Sequence, residues 1–151
     1  EDSPWKAKQL FDLYKKYDIS EIQIISEVGC GSGEVLYNFS KHLQNDNNKY
    51  FGFDISPQAI DIANNFKKER NSDNFTYELS SIPTIESDLL LCVDVFEHIE
   101  DEFNFLRTIK TKSKYFLFNI PLDLSLQSLL REQIFYLKEK ELGILIIIQN
   151  L

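Results

Sequence analysis

Glu27-Val28-Gly29-Cys30-Gly31-Ser32-Gly33 follows an apolar run, Ile22 to Ile25, and precedes a helical-looking stretch from Glu34 to Leu43. Strand, glycine turn and helix in that order present backbone N–H groups and a helix N-terminus to a ligand. Some glycines are needed for backbone angles closed to a residue with a Cβ, others for close approach of a ligand to the main chain. The spacing is G-x-G-x-G, and Glu34 stands where a dinucleotide fingerprint of the G-x-G-x-x-G type has its third glycine. Glu27, two positions ahead of the first glycine, puts a carboxylate where it can catch a cationic amine or orient the turn. Without a ligand, the same stretch reads as a tight strand-to-helix turn.

Two further stretches follow in the order a nucleoside site requires. Lys49-Tyr50-Phe51-Gly52-Phe53-Asp54 reads as a second strand ending in a carboxylate. In parallel α/β folds an acidic residue about 20 residues beyond the glycine turn accepts hydrogen bonds from ribose hydroxyls. Ile55 would then lie beside the base, and Ser56-Pro57 open the next helix with a cap and an N1 proline. Taken alone, Asp54 could equally be an ordinary strand-end carboxylate. Ser87-Asp88-Leu89-Leu90-Leu91-Cys92-Val93-Asp94-Val95-Phe96-Glu97-His98-Ile99-Glu100-Asp101 is a buried-strand run followed by a polar turn and a helix start.

The acidic-x-G-x-G-x-G pattern resembles motif I of the class I S-adenosylmethionine-dependent methyltransferases. The Ser87–Asp101 stretch, with Glu97-His98-Ile99-Glu100-Asp101 at its end, resembles the fourth-strand signature of their ubiquinone-biosynthesis (type 11–12) group. Tyr77-Glu78-Leu79-Ser80-Ser81-Ile82-Pro83 occupies the place of that family's acidic loop, and either Glu78 or Ser80 could hold its acidic position. The resemblance runs from Trp5 to Arg131. It implies S-adenosylmethionine as cofactor and S-adenosylhomocysteine as product. Carried over residue by residue, it implies cofactor contacts at Glu27, Gly29, Cys30, Gly31, Gly33, Asp54, Ile55, Glu78, Leu79, Ser80, Asp94 and Val95. The segment Glu78–Ser80 would meet the adenine edge, and Asp94 and Val95 the methionine end. His98 is the candidate catalytic base, needed only if the acceptor must lose a proton. An Glu-His pair at a helix start also serves to anchor a turn.

The remaining chain fits one alternating α/β domain over 1–151. An N-terminal helix is expected over 3–17, a core over 22–120, and a C-terminal helix and strand over 125–149, the helix within Ser125–Lys140. Strands are expected at about Ile22–Val28, Lys49–Asp54, Asn74–Leu79, Asp88–Val93 and Tyr115–Asn119, with helices at Gly33–Leu43, Pro57–Glu69 and Ile99–Thr108. Strands separated by helices imply a mostly parallel, twisted sheet between helical layers, a three-layer Rossmann-like fold. Ligands of such sheets bind beyond the carboxyl ends of the strands, and every motif above falls at one. The family pattern fails after the fifth strand, where only Gly143–Gln149 could add another. The chain therefore reads as truncated or aberrantly terminated, with its C-terminal strands incomplete. An apolar run at a sheet edge invites pairing, so this segment is expected to be covered or to pair with another chain, as in a homodimer.

Composition narrows the partners. The 151 residues carry a net charge of −8 and a pI near 4.8, which disfavours a nucleic acid partner, since neutralising phosphates takes a Lys/Arg surface. Lys110, Lys112 and Lys114 read as a solvated helix end. No run of about 18 apolar residues suggests a membrane span. Neither Asp94-Val95-Phe96-Glu97 nor Asn119-Ile120-Pro121-Leu122 makes the N/D-P-P-Y motif of amide and adenine methyltransferases; the second reads as a strand exit. A small-molecule acceptor is expected. Cys30 and Cys92 read as buried hydrophobes of a reducing cytoplasm, and no metal-ligand spacing is present. Two other readings remain: a non-catalytic cofactor-binding domain without an acceptor pocket, and a nicotinamide-dependent oxidoreductase, which Glu34 and Glu97-His98 fit poorly.

Overall fold

The computed structural model describes residues 2–17, 19, 21–122 and 143–150, with 121, 122 and 143–150 given as backbone. The helices are α1 (Ser3–Lys16), α2 (Glu34–Leu43), α3 (Pro57–Glu69) and α4 (Glu102–Ile109). The strands are β1 (Ile24–Val28), β2 (Lys49–Asp54), β3 (Phe75–Leu79), β4 (Ser87–Val93), β5 (Ser113–Leu122) and β6 (Gly143–Asn150). They form one sheet in the order β3-β2-β1-β4-β5-β6, and every neighbouring pair is parallel. Among the described residues no helix is long and apolar enough to cross a membrane.

A strand covered on both faces has no use for polar alternation, and β4 shows the consequence. Leu89, Leu91 and Val93 point into a cluster with Ala7, Leu10, Leu36 and Phe39 from α1 and α2. Leu90 and Cys92 point the other way, into a cluster with Phe105 and Ile109 of α4 and Phe116 and Phe118 of β5. Helix, sheet and helix make three layers. Register then carries each face across the strands: Glu27 pairs with Leu91 and Leu91 with Leu117, so the Glu27 side chain lies on the α1–α2 face. The order changes direction between β1 and β4, and this opens a crevice above their carboxyl ends.

The boundaries differ from the sequence expectation most in two places, each for a local reason. The helix expected over Ile99–Thr108 splits into a 3-10 turn, Phe96–His98, and α4. The Asp101 carboxylate accepts the Asn104 N–H at 2.8 Å and so starts α4 later. β5 continues to Leu122, so Asn119–Leu122 is strand and not strand exit. Pro121 is tolerated because β4 ends opposite Asn119, and beyond it β5 pairs with β6 alone. β6 lies parallel beside β5, where the resembled family would continue through a sixth strand to an antiparallel seventh. The helix expected within Ser125–Lys140 falls outside the described residues.

Candidate functional site

The glycine turn owes its shape to three left-handed residues: Gly29, Gly31 and Gly33 have φ of 69°, 53° and 77°. Their surroundings differ. A Cβ on Gly29 would lie 2.7 Å from Cγ2 of Val95, and one on Gly33 2.5 Å from the Tyr77 hydroxyl. A Cβ on Gly31 would meet nothing within 4 Å. Two glycines are thus packed against the fold, and Gly31 faces open space where a ligand can come up to the main chain.

The turn's N–H groups are largely engaged within the chain. Cys30 donates to the Phe53 carbonyl and Gly33 to the Cys30 carbonyl. Gly31 donates to Oδ2 of Asp54 at 2.8 Å. The expectation that the turn presents its N–H groups to a ligand is corrected for Cys30 and Gly31, because β2 ends beside the turn and takes both. Asp54 is the hinge of the arrangement. Its Oδ1 accepts the Ser56 N–H at 2.8 Å, so each carboxylate oxygen holds one backbone donor and keeps a lone pair for another partner.

Asp54 also lines a cleft of about 590 Å³ above the strand ends. Gly29, Ile55, Ser80, Asp94, Val95 and His98 line it as well, so seven of the residues named from the sequence meet in one cavity. The others are placed differently. Glu78 turns outward and accepts a hydrogen bond from Thr84 Oγ1, and Leu79 is exposed. Of that segment only Ser80 reaches the wall. Cys30 packs inward with its Sγ toward Gly52. His98 sits at the rim, its side chain 77% exposed and Nε2 3.9 Å from Glu97 Oε1.

Glu27 is buried directly beneath the turn, and its Oε2 has no hydrogen-bond partner. Burial pushes its carboxyl well above the ordinary carboxylate range, against the pull of the Leu36 N–H, and Asp54 and Asp94 push the same way. The folded chain therefore holds this proton more tightly than the unfolded chain. Stability should fall as pH rises from the ordinary value near 4.5 through the raised folded value, by at most about 1.4 kcal/mol per pH unit. Denaturant melts of the ligand-free protein across pH should show this slope, and Glu27→Gln should remove it. An unchanged slope in the variant would assign the effect to another group.

Several wall residues were not legible in the sequence. Asn104, Phe105 and Thr108 come from one face of α4. Only the i, i+1, i+4 spacing on α4 could have pointed to them. Lys6 of α1 reaches across to pair with Asp94 Oδ2, and Asp94 has a left-handed backbone at φ 51°. Nothing in the sequence links positions 6 and 94. Among the described residues lining the cleft there is no Lys or Arg, while Asp54, Asp94 and Asp101 all contribute.

The sequence model of the family described as "Methyltransferase domain" matches residues 26–113. The chain is 26% identical over 117 residues to the tRNA U34 carboxymethyltransferase of Sulfurimonas denitrificans, over 72% of this chain and 37% of that protein. It is 39% identical over 62 residues to the tRNA N(3)-methylcytidine methyltransferase trm140 of Schizosaccharomyces pombe, over 39% of this chain and 20% of that one. The matched segments thus span 37% and 20% of these relatives' length. Its fold is similar to coclaurine N-methyltransferase bound to N-methylheliamine and SAH, with TM-score 0.60, 18% identity and coverage of 73% of this chain and 33% of that one. A SAM-dependent methyltransferase from Aquifex aeolicus gives TM-score 0.59 and 17% identity over 73% and 66%.

Proposed function

The chain belongs to the methyltransferase domain family, and from that premise we propose that its cleft binds S-adenosylmethionine and directs its methyl group to a small-molecule acceptor. The observation that carries the reading is Asp54. One carboxylate anchors the glycine turn through Gly31 and the α3 cap through Ser56, and lines the cleft with lone pairs to spare for two ribose hydroxyls. The other groups fit the same ligand. Open space over Gly31 admits the ribose–methionine portion, with Asp94 and Val95 at its methionine end, and Ile55 and Ile82 offer apolar walls to a flat base, with Ser80 at its edge. Glu27, whose buried oxygen lacks a partner, suits the methionine ammonium, which would restore its charge.

When bound, the sulfonium supplies an already activated methyl group whose positive charge disappears as it transfers. The chain's task is then placement: holding nucleophile and methyl carbon in line is worth about 7–11 kcal/mol of barrier. Where the acceptor carries a proton that must leave, His98 at the rim is the group positioned to take it. The small-molecule reading is supported by the net charge of −8 and by a cleft wall with three aspartates and no described Lys or Arg. A tRNA acceptor is the second reading, favoured by the names of the two relatives. The free, buried thiols of Cys30 and Cys92 suit the reducing cytoplasm we assign to the protein.

Calorimetric titration with S-adenosylmethionine, S-adenosylhomocysteine and NAD in parallel tests the cofactor. Binding of the first two in the micromolar range, with none for NAD, is the expected result; binding of NAD alone would sink it. Production of S-adenosylhomocysteine on small amines and phenols, but not on bulk tRNA, then separates the two acceptor readings.

A further inference from the structure

Three carboxyl groups converge at the carboxyl ends of β1, β2 and β4, and an ammonium reaches one of them from α1. Asp54 and Asp94 line the cleft, while Glu27 lies fully buried close enough to sense both charges. Lys6 is the cation, paired with Asp94 across 88 positions of sequence. This is not a solvated surface pair. The Lys6 and Asp94 side chains are 21% and 33% exposed, whereas Lys8 and Asp12 on the outer face of the same helix are 62% and 60% exposed. Asp94 is also fixed through its backbone, its N–H donating to the Asn119 carbonyl at 3.1 Å. Its carboxylate is thus held at the cleft wall, with one of its oxygens engaged by an internal cation.

We propose that Lys6 sets the cleft's preference between the charged methyl donor and the neutral product, by engaging Asp94 and so limiting the attraction for a sulfonium. The inference rests on the cofactor reading above. S-adenosylmethionine carries one net positive charge near neutral pH and S-adenosylhomocysteine none; the two share every other group. A fixed ammonium near the sulfur end therefore acts on the donor and hardly on the product. At this degree of burial one charge shifts a nearby cation's affinity by about three- to tenfold after screening. The same ammonium favours the direction of transfer, because transfer removes positive charge from its neighbourhood.

The test is calorimetric titration of the wild type, Lys6→Gln and Lys6→Arg with both ligands. Lys6→Gln should bind S-adenosylmethionine about three- to tenfold more tightly, with S-adenosylhomocysteine changed less than about twofold. Lys6→Arg keeps the charge and should keep the wild-type ratio. Equal weakening of both ligands in Lys6→Gln would mean that the ammonium holds a group they share, such as the carboxylate, and would overturn the proposal. So would an unchanged ratio. If the wild type binds neither ligand, the cofactor reading itself fails, an outcome distinct from an unchanged ratio.

Discussion

Asp54→Ala should weaken S-adenosylmethionine binding by about a hundredfold or more. Two effects combine. The carboxylate offers acceptors to the ribose hydroxyls, and hydrogen bonds to a charged group contribute about 1.5–3 kcal/mol each. It also holds the Gly31 N–H and the Ser56 N–H, so its loss frees the turn on one side and the start of α3 on the other. Two lost charged hydrogen bonds alone correspond to roughly a hundredfold in affinity. The variant should also melt lower, so the titration belongs well below its melting temperature. Weakening of less than about twofold in a folded sample would remove Asp54 from the ribose.

Gly33→Ala should cost about 2–5 kcal/mol of stability, whereas Gly31→Ala should cost only about 1–2 kcal/mol and still lose the ligand. Both residues have left-handed backbones, a conformation costing a Cβ-bearing residue roughly 1–2 kcal/mol. At Gly33 the new methyl also meets Tyr77, with its hydroxyl oxygen and two ring carbons within 2.6 Å, and overpacking of this kind adds about 1–3 kcal/mol. Tyr77 cannot yield freely, because its ring stacks on Phe75 and also limits a Cβ at Gly52. For a chain of this size the difference is several degrees in Tm. Combining Gly33→Ala with Tyr77→Ala should return part of the loss, since the two residues touch. At Gly31 the methyl enters open space, so the backbone strain alone is added while the approach of a ligand is blocked. Equal melting temperatures for Gly31→Ala and Gly33→Ala would contradict the packing described for Tyr77.

The glycine spacing, the carboxylate closing β2 and the apolar β4 run were readable because strand, turn and helix impose local residue requirements. Those stretches place Gly29, Asp54, Asp94 and Val95 at or just past strand ends. The Glu78–Ser80 segment was readable only as a segment. Which of its side chains faces the cleft depends on where β3 ends against β2, and pairing of Asp54 with Leu79 leaves Ser80 as the residue on the wall.

By itself, the sequence determined the order of elements, the parallel α/β class and the clustering of its motifs at the strands' carboxyl ends. These follow from the hydrophobic period and from backbone angles that only certain residues adopt. The tertiary structure alone decided that Tyr77 guards Gly33, that Asp54 takes the Gly31 N–H, that Glu27 is buried with an unpartnered oxygen, and that Lys6 answers Asp94. Each of these depends on residues far apart in the chain, brought together through sheet register or helix packing. Such contacts leave no periodic trace, because their geometry is set by the distance between elements and not by the spacing within one.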